Sequence, residues 1–357
     1  MIYHQQPDII GLDISERSLK AIQFSKSWLN TIKLKAISDI AIEKGIIIDG
    51  EIIKQDDFVK LVNQLLDHPK IGRFSTRYVV ACLPESKTFI KMIDIPPMLP
   101  EEMPQAIKWE AEHHIPLAID ETYWDWQLID IKQQSNRLPI LLGVAPKNII
   151  NSYTESLNKI KLITLALEIE AVPIVRSLIP KNAPLSSDAL MIIDFGASHT
   201  SLCVYDKNTI QFTVSIQIAG HQMTEIIAKK LNFSEVEAEK AKIICGLDPK
   251  KCEGAMQEIL YKVIDDLIKR IKETFIFYSE HFPNGNPIKE ITLCGGGSNF
   301  KFIDEYLANV IKIKVTRGNP WCNLNSVRPP CQPSILLSYT TAIGLALRSF
   351  SINDDKT

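Results

Sequence analysis

Two acidic residues, each closing an apolar strand and followed by a tight turn and a second apolar strand, are the first chemistry this chain offers. IIGLDISERSLKAIQF (9–24) and LMIIDFGASHTSLCVY (190–205) share that shape, with Asp13 and Asp194 in equivalent places about half the chain apart. A carboxylate at a strand end can hold magnesium directly or through water, because that ion keeps several waters and needs few protein oxygens. The backbone N–H groups of the turn can surround phosphate oxygens where small residues let the chain come close. DFGASHTS (194–201) suits that use, with Gly196, Ala197 and Ser198 at the turn. DISERSLK (13–20) suits it less, because Ser15 stands where glycine would be easier; Lys20, across the hairpin, can neutralise phosphate charge. Taken alone the repeat is open to coincidence, since Asp is common in turns.

A third piece is LCGGGSNF (293–300), where Gly295, Gly296 and Gly297 separate a strand from a helix. Such a loop admits a flat ligand closely, and the helix start favours anions. By itself it is an ordinary strand-to-helix connection; after two Asp hairpins in this order it gains weight. The fourth is LEIEAVPIVRSL (167–178), read as a helix beginning with acids. Glu170 can orient a water toward a terminal phosphate, while Glu168 is read as stabilising the helix dipole.

Alternating elements must position these residues. The pattern predicts strands at 9–14, 19–24 and 31–40, a helix at 56–66 and a strand at 78–83. It then predicts strand 88–93, helix 100–113, strands 122–130 and 139–145, helix 148–158, strand 162–167 and helix 171–178. IPKNAPLSSDA (179–189) is the linker candidate. A second meander follows at 190–194, 200–205 and 209–218, then helices at 221–231, 235–244 and 255–281, strand 291–293 and helix 300–308. The stretch 335–347 reads as one apolar helix, too short to span a bilayer.

Composition excludes several classes. In 357 residues, 45% apolar and 23% charged describe an ordinary globular chain rather than a disordered one. A net charge of −2 without a basic block disfavours nucleic acid as a partner. Seven scattered cysteines without a CxxC pair predict reduced thiols rather than a disulfide framework or zinc site. The opening MIYHQQPDII carries no basic or long apolar leader segment, so a secretory signal is not expected.

The four pieces in this order resemble the actin-like ATPase superfamily: the first hairpin its phosphate-1 loop, DFGASHT its phosphate-2 loop, LCGGGSNF its adenosine loop. EAVPIVRSL and TTAIGLAL (340–347) resemble its two connecting helices. GLDISERSLKAIQF, GIIIDGEI (45–52) and above all KMIDIPPMLPEEMPQAIKWEAEHHIPLAIDETYWDW (91–126) narrow the resemblance to the PilM family of type IV pilus assembly. It runs from about Ile9 to Leu347, with Ser15 departing from that family's glycine. The fold it implies is α/β, a two-lobed actin-like ATPase (duplicated ribonuclease H-like) fold with an SHS2-type insert. The implied division is 1–83 with 146–180 and 335–350 as the first lobe, 84–145 as the insert and 187–334 as the second lobe. Trp109 of the insert is expected in its core, and Trp124 and Trp126, on one side of a strand, against another lobe or a partner.

The resemblance implies ATP or ADP with Mg2+ as ligands and at most weak ATPase activity. Asp13 and Asp194 are the metal positions and Glu170 the catalytic one. Ser15, Glu16, Arg17, Lys20, Gly196, Ala197, Ser198, Thr200, Lys272, Gly295, Gly296 and Gly297 complete the nucleotide set with the two aspartates. It also implies a cytoplasmic scaffold bound to the N-terminal tail of PilN through 84–145 and the first lobe. Such a protein reaches the inner face of the inner membrane only through a partner. The sequence specifies no oligomeric state. A small-molecule kinase on the same fold would leave the insert unexplained. An FtsA-like cell-division protein would need an amphipathic membrane-targeting tail, which SINDDKT is not.

Overall fold

Five consecutive buried residues, Ile10–Ile14, form β1, a strand covered on both faces. The computed structural model describes residues 7–26, 31–115, 117–129, 137–184, 186–324 and 327–351. The end of the expected strand 122–130, at Asp130, and the polar tail SINDDKT beyond Ser351 lie outside the described residues. The chain divides into two units: Met1–Ala183 with Pro320–Pro330 and Tyr339–Thr357, and Pro184–Asn319 with Cys331–Ser338.

In the first unit β1 is followed by β2 (Ser18–Lys26), β3 (Ile32–Ala41), β4 (Ile47–Ile48), β5 (Glu51–Ile52), α1 (Gln55–Asp67), β6 (Ile71–Gly72) and β7 (Tyr78–Leu83). Next come β8 (Phe89–Ile95), α2 (Met103–His114), β9 (Thr122–Leu128), β10 (Leu138–Pro146), α3 (Lys147–Lys159), β11 (Ile163–Ile169) and α4 (Ala171–Leu178). One sheet runs β11-β7-β1-β2-β3-β6. Ile10 and Leu12 point into a core shared with Phe58 and Val62 of α1 and Tyr153 and Leu157 of α3. Gly11 faces the other way, as strand alternation requires.

In the 84–145 segment β10 pairs antiparallel with both β8 and β9, and α2 covers them through Met103, Ile107 and Ala111. Trp124 and Trp126 pack against that segment's own core, while Trp109 is 62% exposed. Both findings reverse the expectation. The α2 side facing the core is Met103–Ile107–Ala111, and Trp109 falls off that stripe.

The second unit contains β12 (Ala189–Phe195), β13 (Thr200–Asp206), β14 (Thr209–Ile216), α5 (Gly220–Leu231), α6 (Glu235–Cys245), α7 (Ala255–His281), β15 (Ile288–Cys294), α8 (Ile303–Ile311), β16 (Lys314–Arg317) and α9 (Pro333–Leu337). Its strands lie in the order β16-β15-β12-β13-β14. α7 buries Leu260, Ile264, Leu267 and Ile271 in its core. The last element, α10 (Thr340–Ser351), belongs to the first unit.

Three expectations change. The apolar run 335–347 is two helices, α9 and α10; the Leu337 carbonyl that would continue the helix accepts from Gly295 N instead, at 3.1 Å. Residues 320–330 join the first unit because Trp321 meets Phe24 edge to face at 5.7 Å and the Asn323 amide donates to Arg176 and Ile179 carbonyls. Cys245 and Cys252 form a disulfide rather than free thiols: a turn at Gly246, φ 59°, brings the chain back so that their Cα atoms lie 5.9 Å apart.

Candidate functional site

Local sequence builds the first hairpin tightly. β1 and β2 pair with Asp13 opposite Lys20, and Ser15 N donates to Ser18 O at 3.1 Å to close the turn. Asp13 is 3% exposed and both its oxygens are engaged. Ser15 Oγ donates to Oδ1 at 3.0 Å, Cys82 Sγ lies 3.6 Å from the same atom, and Lys20 Nζ donates to Oδ2 at 3.3 Å. Lys20 also reaches Ser18 Oγ at 2.9 Å.

The thiol of Cys82, on β7, is pushed well above its usual range by burial, then by the charges of Asp13 and Glu170. Buried Tyr153 is raised by burial and then by Cys82, Glu170, Glu16 and Asp13. Three predicted carboxylates thus act on one spot of the first unit: Asp13 at a strand end, Glu16 in the turn and Glu170 at the N-cap of α4.

Glu16 has a holding role. Its Oε1 accepts from Gly50 N at 3.1 Å, while Tyr153 OH donates to Gly50 O at 2.9 Å. Asp49 and Gly50 both have positive φ, 48° and 77°, as the two-residue β4–β5 turn demands. Arg17 O accepts from Ile42 N at 2.9 Å, which ties the hairpin turn to the chain after β3.

Glu168 lies on β11, not at a helix start. It is buried and paired with both Arg176 of α4, at 2.7 and 2.9 Å, and Arg348 of α10. It therefore fastens α4 to α10 rather than serving a helix dipole. Close packing does the rest: a Cβ on Gly344 would lie 1.8 Å from Pro173 O, and one on Gly11 would lie 2.4 Å from Ala342 O.

In the second unit β12 and β13 pair with Asp194 opposite Ser201. Gly196 N donates to His199 O at 3.1 Å, and a Cβ on Gly196 would meet that carbonyl at 2.6 Å. The start of α5 docks on this turn, Gly220 N donating to Gly196 O and His221 N to Ala197 O. Buried Thr200 donates its hydroxyl to Ile218 O, so it fixes the turn from behind; Ala197 is exposed and Ser198 half-buried.

The glycine loop meets the hairpin directly. Gly295 has φ 80° and its Cβ would lie 2.2 Å from Asp194 Oδ1; a Cβ on Gly297 would lie 2.7 Å from Phe195 O. Gly296 differs, for the nearest atom to its Cβ position is 3.9 Å away. Cys294 Sγ lies 3.7 Å from Asp194 Oδ1.

Lys272 is exposed on α7 and makes no hydrogen bond or ion pair with hairpin or glycine loop among the described residues. The lysine beside the hairpin is Lys242 of α6, which donates to Gly220 O at 2.9 Å and Thr224 Oγ1 at 2.8 Å and pairs with Glu239. Its one sequence signal is the capping box Ser234–Glu237, which starts α6 and so sets which residues face α5.

A family model described as type IV pilus assembly protein PilM matches residues 11–350. The chain belongs to the PilM family. Among solved structures it is similar to the PilM-PilN type IV pilus biogenesis complex, with TM-score 0.81 and 23% identity over 96% of this chain and 98% of that one. MreB5 of Spiroplasma citri bound to AMPPNP is similar at TM-score 0.57 and 12% identity, over 98% of each chain. The ethanolamine utilization protein EutJ from Carboxydothermus hydrogenoformans is similar at 0.56 and 13%, over 96% of this chain and 90% of that one. The fold is the mixed α/β fold of the actin-like ATPases. No helix among the described residues is long and apolar enough to cross a membrane.

Proposed function

We propose that the chain is an Mg-ATP-binding scaffold of the type IV pilus platform that holds the N-terminal tail of PilN at the inner face of the inner membrane. The observation that carries this reading is the PilM family match over residues 11–350, joined to an Asp hairpin in each unit and a glycine loop pressed on one of them. MreB5 of the same fold is solved with AMPPNP and with ADP, which supports a nucleotide as the ligand class.

The residues fit that ligand. Gly295 and Gly297 are explained by the chain's own contacts, but Gly296 is not, and a bare backbone there suits a flat base lying close. Asp13, with both oxygens already engaged, would act on magnesium through the ion's waters rather than by direct bonding. Lys20, Gly196, Ala197 and Ser198 would meet phosphate oxygens, and Glu170 would orient water at the terminal phosphate. The reading assigns slow turnover or none, since binding is what a scaffold requires.

PilN accompanies a PilM in the similar complex. For this chain we assign its tail to the 84–145 segment and the rest of the first unit, where Leu99, Trp109, Tyr123 and Leu128 are exposed apolar residues. A synthetic PilN N-terminal peptide tests this in a pull-down with and without Mg-ATP. Trp109→Ala and Tyr123→Ala are expected to weaken capture while leaving ATP binding intact. Normal capture after replacement of every exposed apolar residue of the segment would contradict the assignment.

A further inference from the structure

At the end of β1 opposite to Asp13, a pocket of about 600 Å3 opens between the C-terminus of α1 and the loop 73–77, with Ile10, Leu66 and Phe74 among its walls. Its charged lining is Lys35, Arg73 and Arg77 against a single acid, Asp67. Asp8, whose carboxyl is raised by burial, feels Lys35 as well. None of the three cations forms a salt bridge among the described residues.

Two of these cations are forced together by the fold. β3 and β6 pair with Ala36 opposite Gly72, and just past that pair Arg73 N donates to Lys35 O at 3.3 Å, so the two cationic residues are neighbours at the sheet edge. The approach is close enough that a Cβ on Gly72 would lie 1.9 Å from Lys35 O. Like charges held close together repel. Without a bound anion this arrangement works against the sheet edge.

The loop beside them is pinned from below. Gln23, fully buried, donates to Ser75 Oγ at 2.9 Å and accepts from Ser75 N at 2.8 Å. Thr76 Oγ1 accepts from Tyr78 N at 3.1 Å. Each hydroxyl oxygen has accepted one bond from the chain, and its own O–H remains to donate. The pocket therefore presents two guanidinium forks, an ammonium and two hydroxyl donors on a held loop. A group with three acceptor oxygens and more than one negative charge matches that array better than a carboxylate does.

We propose that this pocket is a phosphate-binding site, for a phosphoryl group carried by a soluble compound or by a phospholipid headgroup. The volume is that of a small-ligand site. Three residue steps of extended strand lead from Ile10 to Asp13, about 10 Å, so the site is distinct from the first hairpin.

The test is arginine-selective phenylglyoxal labelling of the full chain, read residue by residue by mass spectrometry. Inorganic pyrophosphate is one probe; phosphatidic acid vesicles, whose headgroup is a phosphomonoester, with phosphatidylcholine vesicles as their control, are the other. Slower labelling of Arg73 and Arg77, with exposed Arg270 unchanged, is expected from at least one probe. Protection by pyrophosphate alone identifies a soluble ligand, and protection by phosphatidic acid alone a headgroup. The Arg73→Gln, Arg77→Gln double variant should weaken binding of the protecting probe about tenfold or more, as loss of charge-assisted hydrogen bonds implies. Unchanged labelling with both probes would overturn the proposal, as would equal protection by potassium chloride at matched ionic strength.

Discussion

Gly295 and Asp194 are locked together: a Cβ on the glycine would lie 2.2 Å from the aspartate's Oδ1, and the glycine's φ of 80° is one that side chains disfavour. The glycine loop and the acidic hairpin of the second unit are therefore one construction, and the carboxylate's position depends on the bare Cα of a glycine next to Cys294, whose Sγ lies 3.7 Å from the same Oδ1.

Substitutions at two adjacent glycines should separate structure from ligand. Gly295→Ala must relieve a backbone and a side-chain conflict, so a loss of about 1–3 kcal/mol is expected from strain of this kind. Gly296→Ala meets nothing closer than 3.9 Å and should leave the melting temperature nearly unchanged, yet weaken ATP if a base lies there. Thermal melts with and without Mg-ATP read both; equal stability loss in the two variants would contradict the assignment.

The Glu168 triad should matter more to the fold than any residue at the hairpins. Its carboxylate is buried and shared by Arg176 and Arg348. Glu168→Gln leaves two guanidinium groups short of a partner, and removal of one member of such a buried pair costs roughly 3–5 kcal/mol. Urea unfolding measures it; a change under 1 kcal/mol, the scale of an exposed pair, would show the triad to be solvated.

Alkaline pH should expose the buried thiol. Cys82 is raised well above 9.0 in the folded chain, so the unfolded chain loses its proton first. Stability from this group is complete below about pH 9 and falls as pH rises toward the folded value. Tyr153, raised above 10.0, adds a fall of the same sign at higher pH. Denaturant midpoints from pH 7 to 10 should decline at the alkaline end, and less in Cys82→Ala; an unchanged slope in that variant would assign the decline elsewhere.

Ser15→Gly tests why this hairpin departs from glycine. The hydroxyl proton is already given to Asp13 Oδ1 at 3.0 Å, so its removal frees the carboxylate rather than a phosphate contact. Nucleotide affinity should drop by about 0.5–1.5 kcal/mol, one hydrogen bond's worth, through a looser Asp13. Tighter binding in calorimetry would show that the side chain crowds the ligand instead.

Much of this was legible in residues that act locally. Strand–Asp–turn–strand at 9–24 and 190–205, and three glycines after an apolar strand, announce themselves because period and turn chemistry are short-range. What stayed hidden depends on distant pairing. Lys242 comes beside the second hairpin only through α5, whose first turn it contacts, whereas Lys272, on a longer and more regular helix, faces away from its core. Glu168 reads locally as a helix-start acid, because its partner Arg348 comes 180 residues later in the chain. The helix break between Leu337 and Thr340 follows from a carbonyl claimed by Gly295, and no local breaker marks it.

Calorimetric titration of Mg-ATP into the full chain, beside Asp13→Asn and Asp194→Asn, tests the central claim most directly. Asparagine keeps each side chain's shape and removes the charge that would position magnesium. The account predicts saturable binding by the unsubstituted chain, a loss of tenfold or more in each variant, as about 1.4 kcal/mol or more of lost interaction implies, and little difference among the three without magnesium. Equal Mg-ATP affinity in all three proteins, or no binding by the unsubstituted chain, would contradict it.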